Sequence, residues 1–161
     1  MPMILAQEGG RAIQLAFRSA HARDFDYCAD MYFAAMAQTV RELKLDVVAH
    51  GASFRPRWVP AEVRIIARDG ADVGWLQSAM RDDALFLGQL FVDAPFRRQG
   101  IGTAVLKCLI GEAARARRSL TLGVVKTNPA LRLYERLGFG ITHQDERKFY
   151  MRREPDAAAP I

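Results

Sequence analysis

The stretch FRRQGIGTAVL, Phe96 to Leu106, decides how the chain is read. Two arginines and a glutamine precede Gly-Ile-Gly, and a helix-forming apolar run follows. A plain helix start would use Ser, Thr, Asp or Asn as its cap. Glycines at that place serve another end: they let a backbone approach a ligand closely and adopt positive φ. The first turn of a helix presents unpaired N–H groups and a partial positive charge. Together these features predict an anion cradle suited to a phosphate or pyrophosphate, with Arg97 and Arg98 adding charge at its rim.

The neighbouring sequence places this cradle in a fold. Upstream, EVRIIAR (62–68), ADVGWLQSAM (71–80) and ALFLGQLFVD (84–93) are three strands in series. The turns Asp69-Gly70 and Arg81-Asp82-Asp83 join them into an antiparallel meander. Gly88 is expected to mark a bulge or a close backbone approach. Downstream, a helix runs from Ile101 to about Arg118, with Val105, Leu109, Ala113 and Ala116 on one face, and Leu120–Val125 is a buried strand. Asn128-Pro129 opens another helix, in which Ala130, Leu133, Tyr134 and Leu137 share a face, and Gly138 stops it. FGITHQ and KFYMRR close the chain as strands.

Nearer the start, AIQLAFRSA (12–20) reads as a strand, and Asp24 as the cap of a helix that buries Phe25, Cys28, Ala29, Tyr32, Met36, Val40 and Leu43. Residues 46–60 read as a loop whose Phe54 and Trp58 either fold back on the core or line a substrate groove. The order β-α-βββ-α-β-α-ββ predicts an α/β fold: a mixed, mostly antiparallel sheet of about seven strands with helices on both faces.

A length of 161 residues favours one domain, taken here as 11–153, with 1–10 and 154–161 as flexible termini. Half the residues are hydrophobic, enough for a core. No apolar run reaches the roughly eighteen residues of a membrane span, and the first residues lack the basic and apolar regions of a signal peptide, so the expected location is cytoplasmic. Cys28 and Cys108 read as buried free thiols. His21, His50 and His143 stand apart, so no metal is expected. The net charge of +5 suits nucleic acid or a phosphate-rich ligand. No array of stacking aromatics interrupts the basic stretches, so nucleic acid is not the expected partner.

The cradle lacks the lysine of a P-loop. It also lacks the third small residue of a dinucleotide fingerprint, since position 105 is Val. The pattern that fits is [R/Q]xxGxG, carried by Arg97, Gly100 and Gly102. About twenty-five residues on stands NPALRLYERLGF, Asn128 to Phe139. The two segments together resemble the GNAT superfamily of N-acetyltransferases, over about residues 11–153 with the diagnostic part at 88–139.

The resemblance implies an acyl-CoA N-acyltransferase fold, acetyl-CoA as cosubstrate and an amine as acceptor. It implies that the backbone of Arg98, Gln99, Gly100, Ile101, Gly102 and Thr103 holds the pyrophosphate beside Arg97, with Lys126 flanking the site. Leu90, Phe91 and Val92 would pair with the pantetheine arm, and an amide near Leu90 would polarise the thioester carbonyl. Asn128 would contact the cofactor, and Tyr134 would lie near the thioester sulfur as the acid for the leaving thiolate. A homodimer built on the sheet edge or the C-terminal strands also fits. Where relatives carry an acidic residue in the strand before the cradle, this chain has Gln89, which cannot act as a base. Glu42, Asp46, His50 or water remain open for that role. The acceptor is left as a small molecule, an amino acid or a protein amine, its determinants expected in 38–60, the Arg81-Asp82-Asp83 turn and the last two strands. A non-catalytic acyl-CoA-binding sensor or regulatory module is the alternative.

Overall fold

A computed structural model of the chain describes residues 3–8, 11–42 and 53–155. The strands are β1 (Met3–Glu8), β2 (Arg11–Ser19), β3 (Val63–Arg68), β4 (Ala71–Arg81), β5 (Ala84–Val92), β6 (Ser119–Val125), β7 (Gly140–Gln144) and β8 (Lys148–Arg153). The helices are α1 (Phe25–Glu42), α2 (Ile101–Arg115) and α3 (Leu131–Arg136), and residues 53–57 form a further helical turn. The strands form one sheet in the order β1-β2-β3-β4-β5-β6-β8-β7. The β5–β6 pair is parallel, whereas β1–β2, β2–β3, β3–β4, β6–β8 and β7–β8 are antiparallel.

The mixed, mostly antiparallel sheet is as expected, with eight strands where about seven were expected. Met3–Glu8, expected as a loose lead-in, is β1, and it pairs with β2 from Met3↔Ala16 to Glu8↔Arg11. Gly9-Gly10 between two β-prone runs is a hairpin signal that accounts for the extra strand. Of the expected loose tail, Glu154 is tied down: its carboxylate accepts from Ser119 Oγ at 2.6 Å and Arg152 Nε at 2.6 Å.

The chain divides into two compact units, Met1–Gln77 with Gln89–Gly102, and Ser78–Gly88 with Thr103–Ile161. In the first, Cys28, Ala29, Met31 and Tyr32 of α1 pack with Val63, Ile65 and Trp75 of the sheet. Phe54 and Trp58 belong to this core, at 2% and 7% exposure, which decides between their two readings. Phe54 stacks on Tyr32 with ring centroids 4.3 Å apart and meets Trp75 edge-on at 6.1 Å. Ile65 and Ile66 are both fully buried, so β3 is covered on both faces.

Asp24 stands directly before α1, as its capping role requires, but its carboxylate turns back. It accepts from the His21 amide at 2.8 Å and from both Arg18 Nη atoms at 3.0 Å. Arg18 also reaches Asp72 at 3.0 Å, so one guanidinium joins β2, the entry of α1 and β4.

In the second unit, α2 buries Ala104, Val105, Leu106, Leu109 and Ala113. The helix ends at Arg115, three residues short of expectation, and Ala116 is exposed. Arg117 takes φ +55°, which turns the chain into β6. Leu120, Leu122 and Val124 are buried, while Thr121 and Gly123 between them are not. Helix α3 starts at Leu131, because Asn128 Oδ1 accepts from the Ala130 amide at 2.9 Å and holds Pro129-Ala130 in a turn. It stops as expected: Gly138 has φ +95°, its amide donates to Glu135 O, and the Phe139 amide donates to Tyr134 O. That is a Schellman C-cap.

Candidate active site

The candidate residues fall in both units. The first holds Leu90, Phe91 and Val92 on β5 and Arg97 to Gly102 in the turn before and at the start of α2. The second holds Thr103, Asn128 and Tyr134.

The cradle is built by two left-handed residues. Arg98 has φ +61° and Gly100 has φ +76°. A single turn (Ala94–Phe96) precedes them, capped by Asp93, whose side chain accepts from the Ala94 amide at 2.9 Å. Arg97 Nε donates to Val92 O at 3.0 Å, so the turn folds back on the end of β5. From β3, Arg68 Nη1 donates to Gln99 Oε1 inside the cradle, a tether that no sequence spacing announces.

Gly102 is informative because the protein itself does not require it. Its φ is not positive, and a Cβ built there meets no atom within 4 Å. A side chain would project into open space at the first turn of α2, where backbone N–H groups lack helical partners. Gly102 thus fits an anion seated there, the one test this cradle offers of the group it was expected to hold.

Gly88, flagged for a bulge, follows directly on Leu87, the last β5 residue in the parallel ladder Ala84–Leu87 with Ser119–Leu122. A close backbone approach is found at Gly74. A Cβ on Gly74 would lie 2.2 Å from Phe91 O, and the Asp93 amide donates to Val73 O at 2.8 Å. Only glycine fits β4 at this point, a requirement that the sequence alone did not reveal.

Tyr134 is half-buried on α3, its ring edge-on to Phe139 at 5.8 Å between centroids. Burial raises its phenol above the ordinary value near 10, so the hydroxyl keeps its proton at neutral pH. Asn128 is exposed and spends its Oδ1 on the Ala130 amide. Lys126 is engaged as well, donating to Gln144 Oε1 at 2.7 Å with its ammonium 5.2 Å from the Phe149 ring.

Among the base candidates, Glu42 is the last residue of α1, whereas Asp46 and His50 lie outside the described residues. Cys28 is buried and its thiol is pushed up to about 12 by desolvation, so it stays protonated and inert. Among the described residues no group of three or more His, Cys, Asp or Glu could hold a metal, and no helix is long and apolar enough to cross a membrane.

The profile of the acetyltransferase (GNAT) family matches residues 21–139, well over half of the chain. The chain belongs to the GNAT acetyltransferase family. Among curated proteins, this GNAT chain is 37% identical over 70 residues to an uncharacterized N-acetyltransferase of Methanocaldococcus jannaschii. That match covers 42% of the chain and spans 31% of the relative's length.

Solved structures share the fold. An acetyltransferase of Listeria monocytogenes superposes with a TM-score of 0.67 at 17% identity, covering 93% of this chain and 99% of that one. The PaiA N-acetyltransferase of Thermoplasma acidophilum, solved in complex with coenzyme A, gives 0.60 at 13% identity, covering 87% and 98%.

Proposed function

We propose that this GNAT chain transfers an acetyl group from acetyl-CoA to a primary amine by direct attack, with both substrates bound. The open, conformationally unnecessary Gly102 at the mouth of α2 carries the reading. The coenzyme A in a fold relative supports the choice of ligand. In this reading the amides of Arg98 to Thr103 hold the pyrophosphate, with Arg97 at the rim. The backbone of Leu90, Phe91 and Val92 pairs with the pantetheine arm. The Leu90 amide stabilises the charge that develops on the thioester oxygen. Asn128 contacts the cosubstrate, and Tyr134 gives its proton to the leaving thiolate.

Proton bookkeeping supports Tyr134 as donor with one cost. A phenol near 10 and an alkyl thiol near 8.5 differ by about 1.5 pKa units, so the transfer is uphill by about 2 kcal/mol. Burial of the phenol adds to that. Costs of this size are tolerable in a step coupled to collapse of a tetrahedral intermediate. Deprotonation of the acceptor ammonium falls to Glu42, Asp46, His50 or water, because Gln89 has no basic lone pair to offer. Gln89 also favours a second reading, an acyl-CoA-binding regulator without turnover.

Thermal unfolding with acetyl-CoA, with ADP as control, tests the donor site. Ligand at a hundred times its Kd adds about 2.7 kcal/mol of stability. In a chain of this size that raises the Tm by about 5–10 °C. A shift of that order, smaller with ADP, supports the cradle and the pantetheine strand; no shift at millimolar ligand overturns the reading. Amine-dependent release of free CoA then separates transferase from regulator.

A further inference from the structure

The second unit has a face that the proposed reaction does not use. Register places Leu120, Leu122 and Val124 on one side of the sheet with Arg153, Met151 and Phe149. Arg153 Nε there donates to Leu137 O at the end of α3 at 2.8 Å, so this is the helix-covered side. On the opposite side lie Thr121 and Gly123 with their partners Arg152 and Tyr150, and a cavity of about 470 Å³ opens there. Phe86, Thr121, Tyr150 and Arg152 line it from the strands, and Asp82 and Asp83 from the β4–β5 turn.

Its aromatic wall is built rather than incidental. Tyr150 Oη donates to Asp145 Oδ2 at 2.8 Å, and the other oxygen of Asp145 accepts from the Arg147 and Lys148 amides at 2.8 and 2.7 Å. His143, also in the lining, stacks on Tyr150 with centroids 4.5 Å apart and planes 9° from parallel. The ring passes over Gly123, where a Cβ would already stand 3.3 Å from Tyr150 Cε1. Phe86 on β5 pairs with Thr121, whose β8 partner is Arg152, so it stands two strands across and two residues along from Tyr150, roughly 12 Å at ordinary strand spacing and rise. That leaves room for one flat ring above Thr121, between Phe86 and Tyr150.

The rim carries both signs of charge. Arg152 is fixed through its Nε by Glu154, which Ser119 anchors in turn. Arg81 stands with it in the lining, opposed by Asp82 and Asp83. Arg81 and Arg152 on one hand and Asp82 and Asp83 on the other put both signs of charge around an apolar, ring-sized slot, which complements a ligand that carries both charges. We propose that this cavity is a binding site for a free aromatic α-amino acid. The ring stacks on Tyr150, the carboxylate meets Arg152 and the ammonium meets the Asp82–Asp83 turn. The site goes beyond the acetyl-transfer reading and does not depend on it.

Calorimetric titration of the whole chain with L-tryptophan tests the proposal, with glycine, 2-phenylethylamine and phenylacetate as probes of each part. Saturable tryptophan binding is expected at millimolar concentration, at least tenfold tighter than any of the three controls. Arg152→Gln is expected to weaken tryptophan at least fivefold and leave phenylethylamine unchanged. Tyr150→Leu is expected to weaken all the aromatic probes. Circular dichroism and Tm establish that each variant is folded, and Asp83→Asn, on the exposed turn, serves as a second variant if Arg152→Gln is not. The proposal is overturned by no saturable binding, by phenylethylamine or phenylacetate binding as tightly as tryptophan, or by affinities that neither the Arg152 nor the Asp83 change alters.

Discussion

The two compact units hold different kinds of candidate chemistry. The first offers backbone: the amides of Arg98 to Gly102 and the β5 residues Leu90 to Val92, supported by a core of aromatic rings and by the Arg18–Asp24–Asp72 lock. The second offers side chains: Asn128 at the α3 turn and the half-buried Tyr134 phenol. A backbone site depends on glycine where nothing else would do, and its failure is loss of binding. A side-chain site depends on one functional group, and its failure is loss of rate.

The largest effects come from setting two glycines of the first unit against each other. Gly102→Val fills space that is open in the protein, so stability should move by no more than about 0.5 kcal/mol. Acetyl-CoA affinity should fall at least a hundredfold, read by titration calorimetry. Gly74→Ala is the reverse case. Its Cβ would meet Phe91 O at 2.2 Å, so β4 and β5 must part locally, at about 3 kcal/mol, read in a urea melt. A Gly102→Val protein that binds acetyl-CoA normally would move the phosphate site elsewhere and erase the contrast.

In the second unit, Tyr134→Phe should leave acetyl-CoA affinity within about twofold and lower turnover by about a hundredfold or more, the usual scale of a lost general acid. Steady-state kinetics with a reactive amine measure both. A fall in affinity with unchanged turnover would show that Tyr134 binds rather than donates, and the division between backbone binding and side-chain catalysis would fail.

The lock of the first unit carries a pH signature. Arg18 holds the Asp24 carboxyl down at about 2 against an ordinary 3.8, while burial opposes it. A depressed carboxyl stabilises the fold above its unfolded pKa, and that stability is lost as pH falls through the folded value. Asp24 is nearly buried, its side chain 10% exposed, so the difference corresponds to up to about 2 kcal/mol. Asp24→Asn should therefore lower the Tm at pH 7 by about 4–8 °C, with the gap to the parent closing between pH 4 and pH 2. A gap that persists unchanged at pH 2 would mean that the charge of Asp24 is not what joins these elements.

The same division governs what the sequence revealed. The meander, both of its turns and the stop at Gly138 were legible, because alternation and turn residues act over a few positions. The turn before α2 was legible as a place where the backbone takes positive φ, as Gly100 does at +76°. Gly74 was not, since its constraint comes from Phe91, seventeen positions later in the chain, and no local pattern encodes that approach. Arg68 was missed for the same reason: its partner Gln99 belongs to another element. Strand β1 is weakly encoded on its own, because six residues at a chain end become a strand only through their pairing with β2. The acceptor's determinants were assigned only to regions. Of the first, 38–60, residues 43–52 lie outside the described residues, while the Arg81-Asp82-Asp83 turn and the last two strands meet at the cavity of the second unit.

The smallest effect tests whether α3 matters to the second unit for its position or only for its tyrosine. Gly138→Ala forces a side chain onto φ +95°, which costs about 1–2 kcal/mol for an L-residue in the left-handed region. The new methyl would stand 3.2 Å from Arg153 Nε, the atom that donates to Leu137 O and holds the end of α3 to β8. The Tm should fall by about 2–8 °C. If Tyr134 acts as a placed acid, turnover should fall with it while acetyl-CoA affinity holds, because the amides of Arg98 to Gly102 and the β5 backbone belong to the other unit. Stability lost without any change in turnover would show that the phenol tolerates movement of its helix, which a proton donor held to hydrogen-bond distance cannot do.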